Sequence, residues 1–188
     1  MNLQDIWEHE KDLGLVRFQY YDAVDPMHSL SRNAVLALIG VTLVLHCAEE
    51  YLTFPAFFSS PDAMPQWLHP HGLLYNAHHM RVALVMAAVL PLGVIAWAIL
   101  RPRHWPLVAV LVVETVLLVN AGWHVVAALV RGGYAPGVIT AVVINLPVGV
   151  YVLRRAVREQ WIGPRTARRL IAIALVLHIA ALGSLLAG

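Results

Sequence analysis

Five apolar runs dominate the chain, at roughly 33–53, 80–100, 106–131, 135–153 and 169–187. Each is near the ~20 residues that a helix needs to cross the hydrocarbon core of a bilayer. A segment in lipid has to satisfy its backbone hydrogen bonds internally, so such runs fold as helices. Of the 188 residues, 60% are hydrophobic and 13% charged, and the mean hydropathy is +0.69, outside the usual range for a soluble domain. The expected architecture is all-α: residues 33–188 as a polytopic bundle of five transmembrane helices, preceded at 1–32 by an N-terminal cytoplasmic or interfacial segment. In that first segment Trp7, Leu13, Leu15, Val16, Phe18 and Tyr20 interleave with charged residues, as in an amphipathic helix lying on a membrane surface.

The distribution of basic residues sets an expected orientation. With five spans, Lys11, Arg17, Arg32, Arg101, Arg103, Arg154, Arg155, Arg158, Arg165, Arg168 and Arg169 fall on the N-terminal side, and Arg81 and Arg131 on the other. Lys and Arg accumulate on the cytoplasmic side of membrane proteins, so the N-terminus is expected in the cytoplasm. The net charge of +2, carried in these loops, gives no nucleic-acid surface. The single cysteine, Cys47, excludes an intrachain disulfide. The opening residues lack a basic stretch leading into an apolar core, so no cleavable signal is expected.

Against that apolar background stands His46-Cys47-Ala48-Glu49-Glu50. A charged side chain within the bilayer costs about 2.5–3.5 kcal/mol on insertion scales, which makes an intramembrane carboxylate pair a functional-site candidate. At 100° per residue, His46, Glu49 and Glu50 share an arc of roughly 100° on one helix face. Counting 1.5 Å per residue inward from Arg32 puts His46 at roughly 21 Å and Glu50 at about 27 Å, in the outer half of the core. Asn120 and His124 reach the same depths on the third span, with His78, His79, Arg81 and Tyr134 close to that level. A second polar layer of Glu114, Asn145 and His178 lies near the midplane and could form one hydrogen-bonded group. The connection at about 54–79, rich in Pro and with His69 and His71, is long enough to fold over the outer end as a lid. Pro91 and Pro147 should kink their helices or free a carbonyl.

His46 with Glu50, and Asn120 with His124, are i, i+4 pairs, a spacing by which facing helices of a bundle supply metal ligands. Imidazole and carboxylate without thiolate suit Zn, Fe or Mn. The expected metal set is His46, Glu49 or Glu50, His124 and one of His78 or His79, with His79 preferred. Glu49, Glu50, Glu114, Asn120 and Tyr134 are the expected catalytic residues. A site at hydrocarbon depth with apolar walls points to a metal-dependent membrane enzyme acting on a lipid-like or isoprenoid-like substrate. The same residues allow a metal-free acid–base isomerase or cyclase using Glu49, Glu50 and Glu114, with Trp123 and tyrosines stabilising a cation. A metal- or haem-holding protein without enzymatic activity, or a transporter, is a third class. The expected partners are membrane lipid and a hydrophobic small molecule. Ala180, Ser184 and Gly188 form a small-residue stripe that could pack against a second copy.

His46-Cys-Ala-Glu49-Glu50, then Asn120-Ala-Gly-Trp123-His124, then Tyr134-Ala-Pro136-Gly137 resemble, in that order, the HXXEE family of small bacterial membrane proteins. The resemblance covers about residues 35–155. It implies a membrane-embedded site at His46, Glu49, Glu50, His124, Tyr134, Pro136 and Gly137, without implying a reaction. A looser likeness of residue types links His46-x-x-x-Glu50, with Glu, Asn and Trp on other spans, to the emopamil-binding sterol isomerases. Pro136-Gly137 also reads as the first turn of the fourth span, giving a tight entry and close backbone approach to a ligand.

Overall fold

A computed structural model describes residues 30–58 and 77–187, and it is all-helical across them. Five helices follow in order: α1 Arg32–Phe58, α2 Ala77–Leu100, α3 His104–Arg131, α4 Val138–Arg158 and α5 Pro164–Ala187. Residues 35–188 make one compact unit. Four helices, over Arg32–Phe57, Met80–Leu100, His104–Arg131 and Val138–Arg158, are long and apolar enough to cross a membrane. The fifth expected span falls on α5, whose opening turns carry Arg165, Arg168 and Arg169. Of the segment expected at 1–32, residues 1–29 lie outside the described residues; of the connection expected at about 54–79, residues 59–76 with His69 and His71 do, while 54–58 continue α1 and 77–79 open α2, and the C-terminal part of the small-residue stripe also lies outside.

The bundle separates its helix faces as a membrane protein does. On α1, Val35, Leu36, Ile39, Leu43, His46 and Glu50 are buried, a stripe of period 3.6, while Val41, Val44, Leu45 and Leu52 face outward. The polar site residues therefore continue the apolar seam rather than interrupt it. α3 runs through the middle, packed against α2, α4 and α5, with Leu107, Val110, Leu111, Glu114, Ala121 and His124 inward. Gly40 lets α1 close on α2, since a Cβ there would come within 3.2 Å of Leu92.

Two local features position the site. α3 ends in a Schellman turn: Gly132 takes φ +66°, its N–H donates to Leu129 O, and Gly133 N–H donates to Ala128 O. This sharp stop leaves only 132–137 to reach α4, so that loop folds back over the α1–α3 seam. Second, α4 contains a π-helical stretch, Ala141–Asn145, in which Leu146 N–H reaches back five residues to Ala141 O. Pro147 follows at once; a proline has no N–H to give and its ring crowds the carbonyl four residues earlier, a conflict that a widened turn relieves.

Pro136 and Gly137 stand ahead of α4 rather than inside its first turn. Gly137 is the N-cap, with φ +82°, a left-handed conformation that β-carbon-bearing residues resist. That geometry carries the chain directly over the two histidines.

Candidate functional site

The first turn of a helix leaves backbone N–H groups without intrahelical partners. In α4 those groups find theirs on another helix. Glu49, on α1, accepts hydrogen bonds from the backbone N–H of Ile139 (3.2 Å) and of Thr140 (2.8 Å), from the Thr140 hydroxyl (2.5 Å) and from the Tyr134 hydroxyl (2.9 Å). The carboxylate thus caps α4 from outside it, at the end where the helix dipole favours negative charge. Tyr134 lies in the loop between α3 and α4, where burial raises its phenol above the ordinary value. It therefore stays protonated as a donor to Glu49.

This cap dictates the state of His46. A carboxylate only accepts, so the Thr140 hydroxyl spends its one proton on Glu49. Thr140 Oγ1 then accepts from His46 Nδ1, 2.8 Å away, which leaves Nε2 of His46 as an acceptor, turned toward the Asn120 amide. Metal-ligating histidines characteristically donate their other N–H in this way.

Nε2 of His46 and Nε2 of His124 each lie 3.0 Å from Nδ2 of Asn120. The two rings meet edge to face with centroids 4.9 Å apart. Oε1 of Glu50 is 3.1 Å from His124 Nε2, and its Oε2 is 3.9 Å from His46 Nε2. His46, Glu50 and His124 are all buried, and one ligand atom from each falls within 4.8 Å of the others. The Asn120 NH2 group has a hydrogen to offer each imidazole lone pair, whereas the 3.1 Å approach of the Glu50 carboxylate to His124 Nε2 calls for a proton or a metal ion between them.

Gly137 closes the site from above. A Cβ on it would stand 2.9 Å from Cε1 of both His46 and His124, so the close approach expected of this glycine is made to the two rings. To one side opens a cavity of about 460 Å³ reached by His46, Cys47, Glu50 and Asn120. The rest of its wall is largely aliphatic, from α1, α2 and α3, with His178 of α5.

The expected residues are thus divided rather than gathered in one shell. His46, Glu50, Asn120 and His124 converge. Glu49, offered by the sequence as an alternative ligand, turns to the α4 terminus, because 100° of helix rotation separates it from Glu50. Tyr134 touches Glu49 and not the convergent group. His79 stands in the first turn of α2, but its side chain lies outside the described residues; His78 is exposed. The hydrogen-bonded midplane group does not form: Glu114 Oε2, both amide atoms of Asn145 and His178 Nε2 are buried without a partner among the described residues. The reason is geometric. Glu114 faces Gly149 across the α3–α4 seam, with Oε1 3.0 Å from where a Cβ would be, whereas His178 lines the cavity. Thr140 was not anticipated; a lone hydroxyl in the apolar opening of α4 was the available signal.

With this geometry in hand, comparison with known proteins adds one finding. Residues 37–152, more than half of the chain, match the family described as proteins of unknown function with an HXXEE motif. No curated protein and no solved structure matches.

Proposed function

The chain belongs to the HXXEE family, and from its site we propose that it is a membrane-embedded enzyme in which His46, Glu50 and His124 hold one divalent metal, Zn, Fe or Mn, and act on a lipid-like or isoprenoid-like substrate. The observation that carries this reading is the convergence of two imidazole nitrogens and a carboxylate within 4.8 Å, with the His46 tautomer held by Thr140 and Glu49. Two histidines and one carboxylate are the donor set of catalytic zinc sites and of non-haem iron sites, which keep a position open. A metal there would polarise a substrate oxygen or activate water. Asn120 Nδ2 lies within 3.0 Å of both ligand nitrogens; with their lone pairs taken by a metal, its N–H groups would be released to hydrogen-bond a substrate oxygen. The apolar cavity beside the group excludes water and accepts an apolar body. The sequence's charge asymmetry supports an orientation with Arg32, Arg101 and Arg154 at the cytoplasmic side, and the likeness to small bacterial membrane proteins favours a bacterial inner membrane as the location.

The 3.1 Å contact between Glu50 and His124 also supports a second reading, in which a proton replaces the metal and the pair works as acid and base. Elemental analysis of detergent-purified protein separates them. Stoichiometric metal in the wild type, lost in His46→Ala and His124→Ala, is the expected result. Protein that stays metal-free after exposure to Zn, Fe and Mn salts leaves the acid–base reading.

A further inference from the structure

Besides the Cys47 thiol, the cavity beside the metal group has one titratable side chain with no assigned task. His178 comes from α5, lines the cavity, and keeps Nε2 buried without a partner among the described residues. Its ring packs at a tilt on Trp123 of α3, centroids 6.2 Å apart, a contact that leaves the hydrogen-bonding nitrogen unused on the wall of a largely aliphatic space. Leaving such an atom unpaired costs about 1–3 kcal/mol, a cost that a ligand hydroxyl or carbonyl would remove.

The charge of the wall is equally informative. No Lys or Arg is among its described lining residues, and the one carboxylate among them is Glu50. Arg81 and Arg131, near the same ends of the helices, lie over the Tyr51 and Phe57 rings, 5.4 Å and 4.2 Å from the centroids. A phosphate or diphosphate head carried into such a wall would be buried with a single divalent cation against its own charge and that of Glu50, and buried charge without matching partners is strongly disfavoured. A neutral oxygen-bearing head has what it needs in His178, Asn120 and the metal group. The space, about 460 Å³, is in the lower part of the range of about 300–1,000 Å³ for small-molecule sites. It is open on one side, so a chain longer than the space can run out along the helices, and its narrow wall between α1, α2 and α3 suits one chain. Ala83 and Ala87, one turn apart on α2, provide that room where larger residues would fill it.

We propose that this cavity binds a single-chain lipid or isoprenoid with a neutral alcohol, aldehyde or ketone head, its oxygen held by His178 at the edge of the His46–Glu50–His124 group and its tail running along Ala83, Ala87 and Pro91. The proposal refines the substrate class of the metal reading and rests on it for the head group; the chamber itself stands apart from it.

The test is photoaffinity labelling of the metal-loaded full chain in detergent with a long-chain prenyl alcohol bearing a diazirine, mapped by mass spectrometry, with metal measured on the same samples. Label is expected on 83–91 and 112–117. Farnesol should compete at least about tenfold better than farnesyl diphosphate. Ala87→Trp should abolish the label and leave the metal content unchanged. His178→Phe should weaken competition by farnesol about five- to tenfold without altering competition by the hydrocarbon farnesene. A diphosphate that competes as well as the alcohol overturns the head class. Labelling that survives Ala87→Trp overturns the chamber, and equal losses for farnesol and farnesene in His178→Phe overturn the role of His178. Metal-free wild type with the expected labelling sinks the metal reading alone and supports the chamber.

Discussion

Two polar clusters drawn from much the same residue types, Glu, Asn and His, lie in this bundle at different levels of α3. In the outer one, His46, Glu49, Glu50, Asn120, His124, Tyr134 and Thr140 bond one another across α1, α3, α4 and the loop between the last two. In the inner one, Glu114 and Asn145 are as buried as His46, Glu50 and His124, yet Glu114 Oε2 and the whole Asn145 amide lack partners among the described residues. Burial alone therefore does not mark a site. What distinguishes the outer cluster is a supporting shell that leaves specific lone pairs pointing at one place. The inner cluster carries the cost of buried polarity without that organisation.

The comparison is most sharply broken by removing a ligand. His124→Ala or Glu50→Gln is expected to lower metal affinity by more than about 100-fold, beyond the loss usual for an outer-shell partner, as read by competition with a chromogenic chelator. Loss of affinity no greater than that of an outer-shell variant would show that the three residues are not the ligands.

Gly137→Ala comes next. A left-handed backbone costs a non-glycine residue roughly 1–2 kcal/mol, and the added methyl would sit 2.9 Å from both histidine rings. The expected outcome is a metal affinity lower by about 10- to 100-fold together with a reduced Tm. Unchanged affinity would mean that the loop yields and that Gly137 does not set the ring positions.

Glu49→Gln tests the division between the adjacent glutamates. It keeps the shape of the cap and removes its charge, and with it the strict demand that Thr140 donate toward residue 49. Metal affinity should fall about tenfold, as for an outer-shell carboxylate, with Thr140→Val giving a similar loss. If Glu49→Gln matched Glu50→Gln, both carboxylates would be ligands.

Much of the outer cluster is legible before any coordinates exist. Intramembrane His and Glu are conspicuous against lipid, i, i+4 spacing puts His46 with Glu50 and Asn120 with His124, and counting 1.5 Å per residue brings the pairs to one depth. The sequence does not say which of Glu49 and Glu50 is the ligand. Both fall on the same arc of α1, and the choice is made by where α4 begins, which depends on the left-handed Gly137 and the Schellman turn at Gly132. Thr140 is invisible for the same reason, since its role exists only once the α4 terminus is docked on Glu49. The inner layer illustrates the converse: depth counting groups Glu114, Asn145 and His178, but rotation about each helix axis sends them to different seams. Arg155 shows a further limit. Counted only as a topological charge, it is buried at 6% exposure and satisfied locally by Glu159 at 2.6 Å and Tyr151 at 2.8 Å.

The smallest expected effect has the opposite sign and belongs to the inner cluster. Replacing one member of a hydrogen-bonded pair destabilises, because the other is left buried and unpaired; replacing a group that has no partner removes a penalty instead. Asn145→Leu, which has the same side-chain branching with methyls in place of the amide atoms, should therefore stabilise the bundle by about 1 kcal/mol, toward the low end of the 1–3 kcal/mol for an unsatisfied buried group, because the bulkier methyls offset part of the gain. It should leave metal affinity unchanged, since Asn145 touches none of His46, Glu50 and His124. Unfolding in detergent and the chelator titration measure the two quantities on one sample. A stabilised protein with intact metal binding keeps the two clusters separate. A destabilised one, or one that loses metal, would show that Asn145 works with the outer site through a bond that forms when the site is loaded, and the distinction between the clusters would fail.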